Sequence, residues 1–108
     1  MVQVDARMLQ DVVRRIVDVT HPLKIILFGS RAQGAARPES DLDVLVIADS
    51  REPRYRRSAP IYGALSDILV PMDIVVYTPS EVEDWGGVPQ AFVTTAIRQG
   101  KVLYEKPG

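Results

Sequence analysis

The stretch LFGSRAQGAARPESDLDVLV, residues 27–46, decides how this chain is read. It opens at the end of an apolar run, Lys24-Ile25-Ile26-Leu27-Phe28, which is stopped by Gly29. A run of that length between breakers suits a strand covered on both faces. It closes on Asp41-Leu42-Asp43-Val44-Leu45-Val46-Ile47, which alternates at first and then turns fully apolar. That pattern predicts a second central strand entered from a polar end. Between the two, residues 29–40 are rich in glycine, alanine and arginine, and the reading is a short helical turn from Ser30 followed by a loop.

Each end of the stretch carries candidate chemistry. At Gly29-Ser30 the absence of a Cβ lets a ligand approach the backbone. Ser30 offers a hydroxyl, and the amides that follow point outward at a helix start, a corner able to hold phosphate. The same residues also suit a plain turn and a serine N-cap. In Asp41-x-Asp43, residues i and i+2 of a strand project from one face, so the two carboxylates converge. Like charges that close repel unless a cation lies between them, and oxygen-only ligands suit magnesium or manganese. The competing reading is a loop in which both acids hydrogen-bond locally.

A third acid, Asp73, stands inside the β-branched run Met72-Asp73-Ile74-Val75-Val76-Tyr77. Aspartate is disfavoured in strands and rarely buried without a partner. If this strand neighbours the one bearing Asp41 and Asp43, the three acids form one cluster. Two other motifs fail. Gly29 and Gly34 enclose four residues as in a P-loop, but Ala35-Ala36 stand where Lys-Ser/Thr should follow. A calcium-binding EF-hand loop would have to continue through Leu45 and Val46.

Working outward, Asp5 is a candidate N-cap for a helix whose stripe is Leu9, Val12, Val13, Ile16 and Val17, stopped by His21-Pro22. Residues 49–58 read as a polar, arginine-rich connection. From Ser58 a helix is predicted with Ile61, Leu65, Ile68 and Leu69 on one side, closed by Pro71. The third strand ends at Thr78-Pro79, and Ser80 with Glu83 has capping-box spacing for a short helix. Gly86-Gly87 interrupts it, Pro89 opens another helix, and Phe92, Val93, Ala96 and Ile97 supply its apolar face. Gly100 fits the position just past a helix, and Lys101-Val102-Leu103-Tyr104-Glu105 reads as a last, edge strand.

Composition narrows the class. The 108 residues are 46% hydrophobic and 25% charged, as expected of one domain spanning 1–108, with no apolar run long enough for a bilayer. The start lacks a signal-peptide layout and there is no cysteine, so a cytoplasmic protein without disulfides or thiolate metal sites is expected. Thirteen basic against fourteen acidic residues give a net charge of −1, which speaks against a general nucleic-acid coat. The single histidine, His21, is pressed against Pro22 and reads as part of a helix-ending turn. Arg51, Arg54, Arg56 and Arg57 form a cluster for which a solvated loop competes with partner or triphosphate binding. Tyr55 and Trp85 are candidates either for contacts or for covering the core.

Gly29-Ser30, ten intervening residues, Asp41-Leu42-Asp43 and the later Asp73 together resemble the nucleotidyltransferase superfamily that includes polymerase-β-like enzymes. Residues 27–46 and the GKVLYE run near the end are most similar to the minimal nucleotidyltransferase family, antitoxin partners of HEPN-domain toxins. The resemblance implies an α/β (α+β) fold, a small mixed sheet of three to four strands with helices packed against it. It implies that Asp41 and Asp43 bind two Mg2+ ions, with Mn2+ the alternative, and that Asp73 completes the ion that activates an acceptor hydroxyl. Gly29, Ser30 and Arg31 would hold the triphosphate of ATP. Gln33 stands where many relatives carry a basic residue, which removes one family-like phosphate contact. The implied reaction moves AMP to a partner protein, expected to be a HEPN toxin. This short chain has no room for an acceptor-binding domain, so the acceptor is expected to bring its own surface. A module that neutralises by contact alone, and a small-molecule nucleotidyltransferase completed by a second chain, are the alternatives. A homo-oligomer or a hetero-complex is compatible with either.

Overall fold

A computed structural model describes residues 5–29, 41–85 and 92–107, together with the backbone but not the side chains of Trp85 and Phe92. Ser30, Arg31, Gln33, Gly86-Gly87 and Pro89 lie outside the described residues, as do the expected turn at Ser30 and the break before the last helix. Helix α1 spans Ala6–Thr20. Asp5 caps it by accepting from the Met8 N–H at 2.9 Å, and His21 ends it in the left-handed region (φ 48). The predicted stripe is the buried side, with Val12 and Ile16 fully enclosed.

Strands β1 (Lys24–Phe28), β2 (Leu42–Ile47), β3 (Met72–Tyr77) and β4 (Lys101–Glu105) form one sheet in the order β3-β2-β1-β4. β1 runs antiparallel to β2 and β4, while β2 and β3 are parallel, so the sheet is mixed as expected. Parallel neighbours need a crossover. Here it carries α2 (Arg54–Arg57) and α3 (Ala59–Ala64). α4 (Pro79–Trp85) and α5 (Phe92–Gln99) then lead into β4.

The two sheet faces bury unequal cores. On one, Ile25, Leu27, Leu42, Val44, Val46, Ile74 and Val76 pack with Val12, Ile16, Ile61 and Leu65 from α1 and the α3 region. On the other, Ile26, Leu45 and Ile47 pack with Val93 and Ala96 of α5, flanked by Phe28, Val75 and Tyr77. Side chains alternate along a strand. Asp43 therefore shares the second face with Leu45 and Ile47, and Asp73 shares it with Val75 and Tyr77. Among the described residues no helix is long and apolar enough to cross a membrane.

Three local expectations are corrected. The connection 49–58 is not wholly loop, because Arg54–Arg57 close a helical turn. The helix expected to run from Ser58 through Leu69 ends at Ala64, and Leu69 is 78% exposed. Arg15 reaches across from α1 to bond both Asp67 and the Ala64 carbonyl, which favours a turn at that point over another helical one. The capping box at the start of α4 is not Ser80 with Glu83 but Thr78 with Glu81. The Thr78 N–H donates to Glu81 Oε1 at 2.9 Å and the Glu81 N–H to Thr78 Oγ1 at 3.3 Å. Pro79 then occupies the first helical position, where its missing N–H costs nothing. Gly100 stands where expected, just past α5, with its N–H donating to the Ala96 carbonyl at 2.8 Å and its φ outside the left-handed region. It is needed for space, since a Cβ there would meet Ile26 Cγ2 at 2.5 Å and the Leu27 carbonyl oxygen at 2.7 Å.

Candidate active site

The site is assembled at the end of the sheet where β1 finishes and β2 and β3 begin. Phe28 pairs with Asp43 across the antiparallel β1–β2 ladder, and Asp43 pairs with Asp73 across the parallel β2–β3 ladder. Asp41 precedes β2 by one residue and stands two positions before Asp43. The Leu42 N–H donates to the Pro71 carbonyl at 2.8 Å, so the entries to β2 and β3 are locked together just before both acids. The apolar row Ile47-Leu45 thus gives way to Asp43, and Tyr77-Val75 gives way to Asp73. Asp41 and Asp73 are exposed and Asp43 is half-buried.

Gly29 adopts φ +75, a conformation that glycine takes without steric cost. A Cβ at this position would run into the Asp43 carboxylate, with Cγ 3.2 Å away. The glycine therefore does two things: it turns the chain at the end of β1 and leaves room for Asp43. The sequence foresaw close approach at Gly29 but assigned it to a ligand phosphate rather than to the neighbouring strand.

The donor set fits a hard divalent cation: it is oxygen-only and gathers at one end of the sheet, where Asp43 and Asp73 share a face on strands whose register fixes their Cα positions. Among the described residues, however, no three Asp, Glu, His or Cys side chains are already gathered into a cation site. What the backbone supplies is the register that sets Asp43 beside Asp73.

The arginine cluster divides. Arg57, only 10% exposed at its side chain, donates to Glu81 Oε1 at 2.6 Å and to the carbonyls of Glu52 and Val76. Arg54 donates to Glu81 Oε2 at 3.2 Å and lies 4.4 Å over the Tyr77 ring. The Arg57 and Arg54 guanidiniums and the Thr78 amide hold the Glu81 carboxyl down at about 2, against desolvation that pushes the other way. These two arginines fasten α2 to β3 and α4, a role the sequence did not reveal because their acidic partner lies 24 residues beyond Arg57. Arg51 and Arg56 are exposed, and Tyr55, at 78% exposure, covers no core.

The profile of the family described as polymerase beta, nucleotidyltransferase, matches residues 10–107. A search of curated proteins found no match. Among solved structures, the chain is similar to a putative nucleotidyltransferase from Sulfolobus solfataricus: TM-score 0.64, 19% identity, covering 93% of this chain and 82% of that one. It is also similar to a toxin–antitoxin crystallised with AMP-PNP, with TM-score 0.64, 22% identity and coverage of 91% and 73%. A mutant of the toxin–antitoxin MntA-HpeT gives TM-score 0.62, 20% identity and coverage of 91% and 73%. At these identities the structural likeness speaks for the fold. The family match spans nearly the whole chain, from within α1 to beyond β4, and with it this protein belongs to the polymerase beta nucleotidyltransferase family.

Proposed function

We propose that this protein transfers AMP from ATP to a hydroxyl group of a partner protein and thereby acts as the antitoxin of that partner, a HEPN-type toxin. The observation that carries the reading is the register of Asp43 with Asp73 on one face, beside the Gly29 turn and two residues after Asp41 in sequence. Likeness to a toxin–antitoxin crystallised with AMP-PNP supports both the adenine nucleotide and the partner.

In this reading Asp41 and Asp43 hold divalent metal, Mg2+ or Mn2+, and Asp73 completes the set on the side of the attacking hydroxyl. Two such ions, when bound, supply charge stabilisation for the attacking and leaving oxygens of an in-line displacement. Gly29, Ser30 and Arg31 hold the triphosphate at the end of β1. The acceptor oxygen forms a bond to the α-phosphorus and the bond from that phosphorus to the bridging oxygen breaks. Pyrophosphate leaves, and the proton of the hydroxyl passes to solvent. Behind Asp43 the buried apolar row of Leu45 and Ile47 gives the reacting end a firm floor.

The test is incubation with α-labelled ATP, Mg2+ and the protein encoded beside it. Label on the partner, lost in the Asp41→Asn, Asp43→Asn double variant together with neutralisation, is the expected result. Full neutralisation by the double variant would instead mean that contact alone suffices.

A further inference from the structure

Among the described residues β3 is an edge strand: β2 lies on one side of it and no strand lies on the other. The Pro71 carbonyl faces β2, where it accepts from Leu42. Two residues on, Asp73 also turns its peptide groups to β2, and the peptide groups of Met72 and Ile74 face the open edge. One side chain serves both of them. The Tyr62 hydroxyl, carried round from α3, accepts from the Ile74 N–H at 2.8 Å and donates to the Met72 carbonyl at 3.4 Å. A phenol thus stands where a neighbouring strand would, level with the acid. Further along the same edge, Arg57 Nη1 donates to the Val76 carbonyl at 3.3 Å.

We infer that Tyr62 is a positioning residue for Asp73: its hydroxyl clasps the peptide groups on both sides of the acid and fixes where the carboxylate starts. The inference rests on the proposed role of Asp73 in holding metal. The need for such a clasp follows from the placement of the residue. Asp73 is the second residue of its strand, exposed, and tied by ladder bonds on one side only. Strand ends fray unless their outward groups find partners. Asp43, by contrast, sits between β1 and β3 and is held from both sides. Of these two register partners, Asp73 is the one whose flanking peptide groups depend on a side chain, and Tyr62 is that side chain. It is 40% exposed, so its ring is not a core element whose loss would collapse the fold.

The experiment measures Mn2+ binding to the full chain by electron paramagnetic resonance, in the presence of a non-hydrolysable ATP analogue, alongside thermal unfolding. Tyr62→Phe removes only the hydroxyl. It is expected to weaken Mn2+ binding about tenfold, the scale seen when a group that orients a metal ligand is lost. Asp73→Asn weakens it at least as much. Leu65→Ala, in the core under α3, lowers the unfolding temperature and leaves Mn2+ affinity unchanged. Unaltered affinity in Tyr62→Phe with a loss in Asp73→Asn would overturn the clasp and leave the reading of the acids standing. An equal loss in Leu65→Ala would also overturn it, since general loosening would then account for the effect. Indifference of Mn2+ to both Asp43→Asn and Asp73→Asn would remove the metal reading itself, and the clasp with it.

Discussion

Asp43 and Asp73 are register partners across the parallel β2–β3 ladder, which sets their Cα atoms in neighbouring strands about 4.8 Å apart. Parallel pairing is what makes this possible. Both strands enter the sheet from the same end, so an acid near the start of each arrives at one place. Two like charges in that position repel, and a cation held between them would relieve the repulsion.

Asp43→Asn and Asp73→Asn are each expected to lower nucleotide transfer by roughly 100-fold or more, the scale of losing one group that stabilises developing charge. Neither replaces a core residue, so the unfolding temperature should hold or rise slightly as repulsion is relieved. Single-turnover transfer from labelled ATP, measured beside thermal unfolding, checks both. Full activity in either variant would mean that the acid lies outside the chemistry.

Gly29→Ala should damage both stability and activity. An L-residue at φ +75 costs about 1–2 kcal/mol, and its Cβ would displace the Asp43 carboxylate. The expected outcome is a lower denaturation midpoint in urea together with a loss of transfer larger than unfolding explains. A variant that is destabilised yet fully active per folded molecule would show that Asp43 can be moved with impunity.

Glu81→Gln tests the knot between α2, β3 and α4. Because the folded carboxyl titrates near 2 and the free one near 4.5, the stabilisation is in place above about 4.5 and is lost as pH falls towards 2. At neutral pH the variant should lose about 2 kcal/mol, typical of hydrogen bonds to a charged group. The gap between variant and parent should narrow on acidification through that window. Urea denaturation at several pH values reads it directly. A gap independent of pH would assign the loss to something other than the charge.

The sequence carried the fold wherever burial alone decides the structure. The apolar runs at 24–28, 42–47 and 72–77 became strands with nearly the expected limits, and the stripe from Leu9 to Val17 became the buried side of α1. It misled where a long-range polar contact competes with a local pattern. Ser80 and Glu83 have the right spacing, but Thr78 and Glu81 form the box because Glu81 is also held by Arg54 and Arg57 from a distant helix. The acids of the site were legible as a spacing. Their shared face and level depend on strand order and parallel pairing, which no local pattern encodes, and the same holds for the approach of Tyr62 to the β3 edge.

Gly100→Ala should destabilise by overpacking, by about 1–3 kcal/mol, since the new methyl meets Ile26 and the Leu27 backbone. The effect should be seen as faster hydrogen exchange of β1 and β4 amides. If the amides of Lys24–Phe28 remain as protected as before, the contact is softer than its geometry indicates.

The inequality of the two cores has a practical corollary. Gln10 and Asp18 are exposed on α1, which covers the side of the sheet turned away from Asp43 and Asp73. A dye or spin label carried there has the thickness of the molecule between it and the acids. It would register tumbling, docking or self-association of the chain while leaving the entrance for a nucleotide unobstructed.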